Sequence, residues 1–431
     1  MITPEYLQDI MFASSDAMEY VADRLLIKIA LRIRDAVTED GRFLTPAATN
    51  EIKRLLDMGV LLNDIQSAVN RILPDMQDIV ENAFLEATIE IAKQNSEVTT
   101  SIAKHYGIEV PDFANNGISE SLKRLDLTKA EIRRIEDAYT RTNGTLKNLT
   151  KTTALATTNR VIQSIDKAFA NVRFGQESVQ TATIEALKEC AKQGIEVVAY
   201  PSGHTDRIET AVARAIRTGV NQSSGDVCLV RAYEMGVAYV KTSAHYGARV
   251  TKHNDYTNHS WWQGKVYSVD WNNPLLAPYV ERGKVGDTDP EFAHLDEIKQ
   301  AVQSDKVTKT YPDFMDSTHY GDIQGLCGIN CRHSFYPFYP QYQDDTPTRI
   351  NEVKNERIFR DSQKQRRMEG AIRETRRFYQ MLKAMKSEDE EIKLATMAAK
   401  AKLERLSDEY MTFCKDNGLK PRNVALKTGK E

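Results

Sequence analysis

Between Gly325 and Phe335 the chain reads Gly-Leu-Cys-Gly-Ile-Asn-Cys-Arg-His-Ser-Phe. Seven positions hold Cys327, Cys331 and His333, two of the five cysteines and one of the eight histidines. Three chemistries suit that pattern. Zinc takes four nitrogen or sulfur ligands, often with two cysteines a few residues apart. A thiolate held beside a base is a nucleophile. Free cysteines are also small and readily buried, so they can pin a glycine-rich turn. A second histidine patch lies upstream, with His245, His253 and His259. The metal reading takes Cys327, Cys331, His333 and His259 as ligands of a structural zinc, with His245, His253 and His319 as the other candidates for the fourth place. The nucleophile reading lacks an orienting third group and an oxyanion hole. Trp261, Trp262 and Tyr267 flank His259 and suit either a partner anchor or the core of a domain.

Charge is the second resource. The stretch from Arg357 to Lys386 is rich in cations, among them Arg366, Arg367, Arg376 and Arg377, which suit contact with DNA phosphates. Glu356, Asp361, Glu369 and Glu374 offset them at helical spacing, so a solvated helix is the alternative. The net charge of the whole chain is -3, which does not point to nucleic acid as its main partner. No Walker loop, dinucleotide fingerprint or His-Glu-x-x-His motif is present.

The 431 residues are 41% hydrophobic and 28% charged, which predicts a soluble protein with a sizeable core, in two to three domains. The apolar run from Val21 to Val37 is broken by Asp23, Arg24, Lys28, Arg32, Arg34 and Asp35 and cannot span a bilayer; no signal peptide is read at the N-terminus. An odd number of cysteines in a long chain predicts free or metal-bound thiols and a reducing cytoplasm.

Elements must position these residues, and the pattern predicts an α+β protein. Met18, Val21, Ala22, Leu25, Leu26, Ile29, Ile33, Ala36 and Val37 form one helical stripe, stopped at Asp40-Gly41, with a new start at Pro46. A second helix carries Ile52, Leu55 and Leu56 and ends near Gly59. A third follows Pro74 through Ile79, Phe84 and Ile91. Residues from Tyr106 to Leu127 read as a connection, and Thr128-Lys-Ala-Glu131 as a capping box. Beyond Gly194 the texture changes. Strands are expected at Glu196–Tyr200, Val237–Thr242 and Lys265–Val269, and a helix at about Asp206–Thr218. The tail predicts a helix over Arg357–Lys386 and another capped by Ser387 with Glu390, ending at Asn417-Gly418. The division is a mainly helical N-terminal region at 1–125, a helical connector at 126–194, a compact α+β domain with a small sheet at 195–345, and a helical, partly basic tail at 346–431.

Five strings in order give these residues a family likeness. They are Tyr200-Pro-Ser-Gly203, Ala211-Val-Ala-Arg-Ala-Ile-Arg-Thr-Gly-Val-Asn-Gln222, Met235-Gly-Val-Ala-Tyr-Val240 with Ser243-Ala-His-Tyr-Gly-Ala-Arg249, His259-x2-Trp-Gln-Gly-Lys-Val-Tyr267, and Gly325 to His333. Together they resemble the phage minor capsid protein 2 family and, more distantly, the Mu F-like head-morphogenesis domain. The residues that carry the likeness are Arg217, Thr218, His245, Arg249, His259, Gln263, Gly264, Asn330, Cys331 and Arg332. His333 stands where the wider family often has a second cysteine.

The resemblance implies a structural protein rather than an enzyme: a minor component of a tailed-bacteriophage head, built in the host cytoplasm and carried in the virion near the portal. It implies a part in head morphogenesis, and in DNA packaging or ejection. The partners implied are the portal protein, other head proteins and packaged DNA, with no membrane. The N-terminal helices are the expected portal-contacting part. The alternative is a zinc- or thiol-dependent enzyme, or an ADP-ribosyltransferase-like effector carried in the virion.

Overall fold

The computed structural model describes residues 3–38, 48–110, 126–173, 176–198, 205–283 and 292–422. Eleven α-helices and five short strands are found among them: α1 Pro4–Thr38, α2 Ala48–Tyr106, α3 Lys129–Arg173, α4 Val179–Gln193, β1 Glu196–Val198, β2 Thr205–Arg207, α5 Ile208–Glu234, β3 Tyr239–Thr242, α6 His259–Trp262, β4 Val266–Ser268, α7 Ala277–Gly283, α8 Ala293–Ser304, α9 Phe314–Thr318, β5 Phe335–Pro337, α10 Glu352–Met385 and α11 Glu390–Asp416. This is the α+β class the pattern predicts, mostly helical with a small antiparallel sheet. The chain forms two compact units, each assembled from separated stretches: residues 1–12, 78–144 and 214–359 in the first, and 13–77, 145–213 and 360–431 in the second.

In the first unit β3 is the middle strand of a three-stranded antiparallel sheet, ordered β4-β3-β5. Val240 lies opposite Tyr267 on one side and Pro337 on the other. Proline has no N–H to give a ladder, and Pro337 accordingly sits in an edge strand. The core beneath gathers Leu229 from α5, Trp262, Tyr267, Phe314, Leu326, Cys327, Cys331 and Phe335. A second cluster joins Ile102 and Ala103 of α2 to Met235, Val237, Leu295, Ile298 and Tyr339. The end of α2 is therefore part of the α+β core.

The capping box predicted at Thr128 is formed. The Thr128 amide donates to Glu131 Oε2 at 2.8 Å, and the Glu131 amide donates to Thr128 Oγ1 at 3.3 Å. Glu131 also accepts from Arg231 of α5, whose guanidinium reaches Asp126 at 3.0 Å and Thr99 at 3.1 Å. All three charged groups are buried. Burying such a group is costly unless its partners are in place.

Several element boundaries differ from the sequence expectation. The second and third predicted helices are one helix, α2, which runs through both Gly59 and Pro74. An interior proline removes one hydrogen bond and kinks a helix, but long helical runs on both sides carry it. The helix expected to end at Thr218 continues to Glu234. Gly219 and Gly225 lie within it, and both are places of close approach. A Cβ on Gly219 would overlap Thr142 Oγ1 of α3, and one on Gly225 would lie 2.6 Å from the Tyr320 hydroxyl oxygen. The strand expected over Glu196–Tyr200 covers Glu196–Val198. Its last two positions, the Asp40-Gly41 stop, Pro46, most of the 106–127 connection and the Tyr200–Gly203 string lie outside the described residues.

In the second unit β1 and β2 form an antiparallel pair, and α11 packs on α10 through Ile372, Leu403, Tyr410 and Cys414. The N-cap of α11 is Asp389, which accepts from the amides of Glu391 and Ile392, while the expected cap Ser387 accepts from the Asp389 amide. A carboxylate at the N-cap also meets the positive end of the helix. The predicted stripe of α1 is buried at Met18, Ala22, Leu25, Leu26 and Ile29.

Candidate functional site

The glycine-rich turn from Gly325 to Phe335 is a compact coil in the first unit. Leu326 donates to the Thr318 carbonyl at 3.0 Å, Ile329 to Ile323 at 2.8 Å and Cys331 to Gly328 at 3.1 Å. Cys327 and Asn330 have left-handed backbones, with φ of 58° and 63°. Gly325 and Gly328 lie against the carbonyls of His319 and Asp322, where a Cβ would collide. The glycines thus let the coil close tightly enough to bury both cysteines.

The coil is held from three sides. Arg217 and Asn221 lie one turn apart on α5. The Arg217 guanidinium donates to the Asn330 side-chain oxygen, and the Asn221 amide donates to the His333 carbonyl at 3.2 Å. Arg249 donates to the Ile329 carbonyl at 2.8 Å and to the Gln324 carbonyl at 3.3 Å. Arg332 turns the other way, to the Gly247 carbonyl at 3.2 Å and Gln8 at 3.1 Å. Thr218 is half-buried beside Arg217.

The histidine patch meets this coil. The α6 helix presents His259, and Gln263 follows it; Gly264 then takes a left-handed φ of 71° with the Thr348 carbonyl 2.8 Å from where a Cβ would stand. His333 stacks on His245 with centroids 4.2 Å apart and meets His259 edge-on at 5.4 Å. Gln263 Oε1 accepts from the His245 amide at 3.0 Å and lies 3.1 Å from His333 Nε2. One ligand atom each from His259, Cys331 and His333 lies within 4.8 Å of the other two. Cys327 is outside that group, with its thiol 3.7 Å from the His333 carbonyl. His253 and His319 are also outside it; His319 pairs with Asp322 at 2.9 Å.

Burial sets the protonation of the cluster. It lowers His259 and His245 to about 4 and His333 well below the usual imidazole range, and nearby arginines and histidines push in the same direction. It raises Cys331 and Cys327. The imidazoles are neutral and the thiols protonated at neutral pH. A catalytic thiolate needs a depressed pKa and access, and Cys331, at 2% exposure, has neither.

The four arginines proposed for DNA divide into two pairs. Arg366 and Arg367 are exposed on α10. Arg376 and Arg377 are buried and locked in ion pairs within the second unit. Arg376 meets Asp23 at 2.9 Å, and Arg377 meets Asp23 at 2.9 Å and Glu209 at 3.0 Å. Arg373 joins Glu19 at 2.6 Å. The DNA-contact expectation for Arg376 and Arg377 is therefore corrected: their acidic partners come from α1 and α5, far away in sequence.

Three site residues escaped the sequence reading. Asn221 carries a readable signal, being four residues after Arg217 on a buried helical face. Asn355 accepts from the Gly247 and Ala248 amides at 2.8 and 3.0 Å. Asp226 accepts from the hydroxyls of Tyr279 and Tyr320, both at 2.8 Å. Nothing local to Asn355 or Asp226 announces those partners.

Arg217, Asn221, His245, Arg249, His259 and Gln263 from the recurring strings meet the 325–333 coil in one largely buried polar centre, with no exposed catalytic constellation around it among the described residues. No helix among them is long and apolar enough to cross a membrane. No curated protein and no solved structure matches the chain at a significant level. The sequence model of one family, Phage minor capsid protein 2, matches residues 2–410, nearly the whole length, and the chain belongs to that family.

Proposed function

We propose that this protein is a low-copy structural component of a tailed-phage head, assembled beside the portal and taking part in head morphogenesis and in DNA packaging or ejection. The observation that carries the reading is the family match over residues 2–410; a minor capsid protein must bind other head proteins. The arrangement of the motif residues supports it. They are spent on holding the coil, α5 and α6 together, the demand made of a rigid module in a particle.

Surface features of the second unit supply candidate contacts. On α11, Leu394 and Met397 lie three residues apart and are 63% and 68% exposed, an apolar pair that a neighbouring head protein would cover. On α10, Arg360, Lys364 and Arg367 are exposed at spacings of four and three, one helical face that suits weak contact with packaged DNA.

The test is co-assembly. Full-length protein expressed with the portal protein of the same phage is expected to migrate with it in size-exclusion chromatography and to cross-link through lysines of α11. Separate migration at all protein concentrations, with both partners folded, overturns the portal assignment.

A further inference from the structure

The hydrogen bonds around the buried histidines fix their tautomers. His259 Nε2 lies 2.9 Å from the Gln324 carbonyl oxygen. A carbonyl only accepts, so Nε2 carries the hydrogen and Nδ1 keeps the lone pair. His333 Nε2 lies 3.1 Å from Gln263 Oε1. That amide cannot be turned round, because its oxygen also accepts from the His245 backbone N–H. His333 therefore also has its hydrogen on Nε2 and its lone pair on Nδ1, which lies 3.7 Å from Cys331 Sγ.

His333 Nδ1 thus offers its lone pair beside the Cys331 thiol, and His259, with its own Nδ1 lone pair, has a ring nitrogen within 4.8 Å of the other two ligand atoms, in a pocket where all three residues are at most 2% exposed. Each ring's other nitrogen is held by an oxygen acceptor, the outer arrangement that orients metal-ligating histidines. In four-coordinate zinc, a nitrogen and a sulfur ligand stand about 3.5 Å apart, given metal distances of about 2.0 and 2.3 Å. The observed 3.7 Å is close to that value. His245 stacks on the His333 ring without joining the group of ligand atoms.

We infer that His259, Cys331 and His333 form a buried site for one zinc(II) ion, which staples α6 to the glycine-rich coil. On binding, the Cys331 S–H bond breaks, its electron pair forms the S–Zn bond and its proton leaves to solvent. The neutral histidines bind through Nδ1 without losing a proton. Cys327 is not a ligand. Gln263 and the Gln324 carbonyl are positioning groups that hold the rings.

Cobalt(II) titration of chelator-treated full-length protein tests the site, because a thiolate ligand gives a sulfur-to-cobalt charge-transfer band. The expected result is one cobalt per chain with that band, displaced by zinc, abolished in Cys331→Ser and retained in Cys327→Ser. Absence of the band in folded wild-type protein overturns the proposal, as does an unchanged band in folded Cys331→Ser. Should Cys331→Ser fail to fold, X-ray absorption at the zinc edge of zinc-loaded wild-type protein decides. A shell of two imidazoles and one sulfur supports the site, and a shell of oxygen alone overturns it.

Discussion

Gln263 Oε1 accepts two hydrogen bonds at once, from the His245 amide at 3.0 Å and from His333 Nε2 at 3.1 Å. One side chain after α6 thereby ties the loop following β3 to the segment leading into β5. Replacing it by leucine leaves two buried donors unpaired. An unsatisfied buried donor costs about 1–3 kcal/mol, so Gln263→Leu should lower the stability of the first unit by at least that much. The chain's three tryptophans, Trp261, Trp262 and Trp271, all lie in this unit. Tryptophan fluorescence during denaturant unfolding therefore reads it directly; an unchanged midpoint contradicts the account.

Arg231 is the cation between Asp126 and Glu131. Removing one partner of a buried ion network costs about 3–5 kcal/mol, because the others stay buried and charged. Arg231→Met should unfold the first unit at markedly lower denaturant. The triple change Arg231→Met, Asp126→Leu, Glu131→Leu should recover part of the loss, since an apolar replacement of a buried ion network is often neutral or better.

Gly219 lets α3 and α5 approach at Thr142. Gly219→Ala forces a Cβ onto the Thr142 hydroxyl, and overpacking of this kind costs about 1–3 kcal/mol. Thr142→Ala removes the obstructing oxygen. The double variant should therefore be more stable than the sum of the two single effects predicts, by at least about 0.5 kcal/mol. Simple additivity would show that the two helices do not meet there.

Glu234 gives a pH dependence. Burial, and then the neighbouring Glu131, raise its carboxyl to about 8, and its Oε2 is buried without a partner. The folded protein therefore holds a proton that the unfolded chain has lost. Stability from this group is full below about 4.5 and declines as the pH rises through 8. Glu234→Gln should flatten the fall in melting temperature between those limits. An equally steep fall in the variant assigns it to other groups.

The exposed face of α10 can be separated from its buried one. Replacing Arg360, Lys364 and Arg367 by Gln should leave the second unit folded and weaken DNA retention on all sequences alike. It should also reduce the salt slope between about 50 and 200 mM. Arg377→Gln should instead destabilise the unit, since Asp23 and Glu209 lose their partner. DNA binding unaffected by the triple change would leave α10 as a protein-contact helix.

Local signals carried much of this structure. The capping box at Thr128, the strands about Val240 and Val266, the helices of the tail and the glycine-rich coil all follow from short-range pattern, and each is present. What the sequence hides is whatever depends on distant partners. Gly59 looks like a stop and Pro74 like a new start because the support of the one helix through them comes from long flanking runs. The need for glycine at 219 and 225 is hidden because Thr142 and Tyr320, which need the space, are far off in the chain. Arg376 and Arg377 look like a DNA patch because Asp23 and Glu209 stand more than 160 positions away. The meeting of His259, Gln263 and His333 was legible only through the recurring strings; their tautomers needed the geometry.

The central claim, a minor structural protein of a phage head, is tested most directly by quantitative mass spectrometry of purified virions. The account predicts this chain in every preparation, at a few copies per portal ring and far below the major capsid protein. Its absence from intact particles, with the protein abundant in the infected-cell lysate, would contradict it.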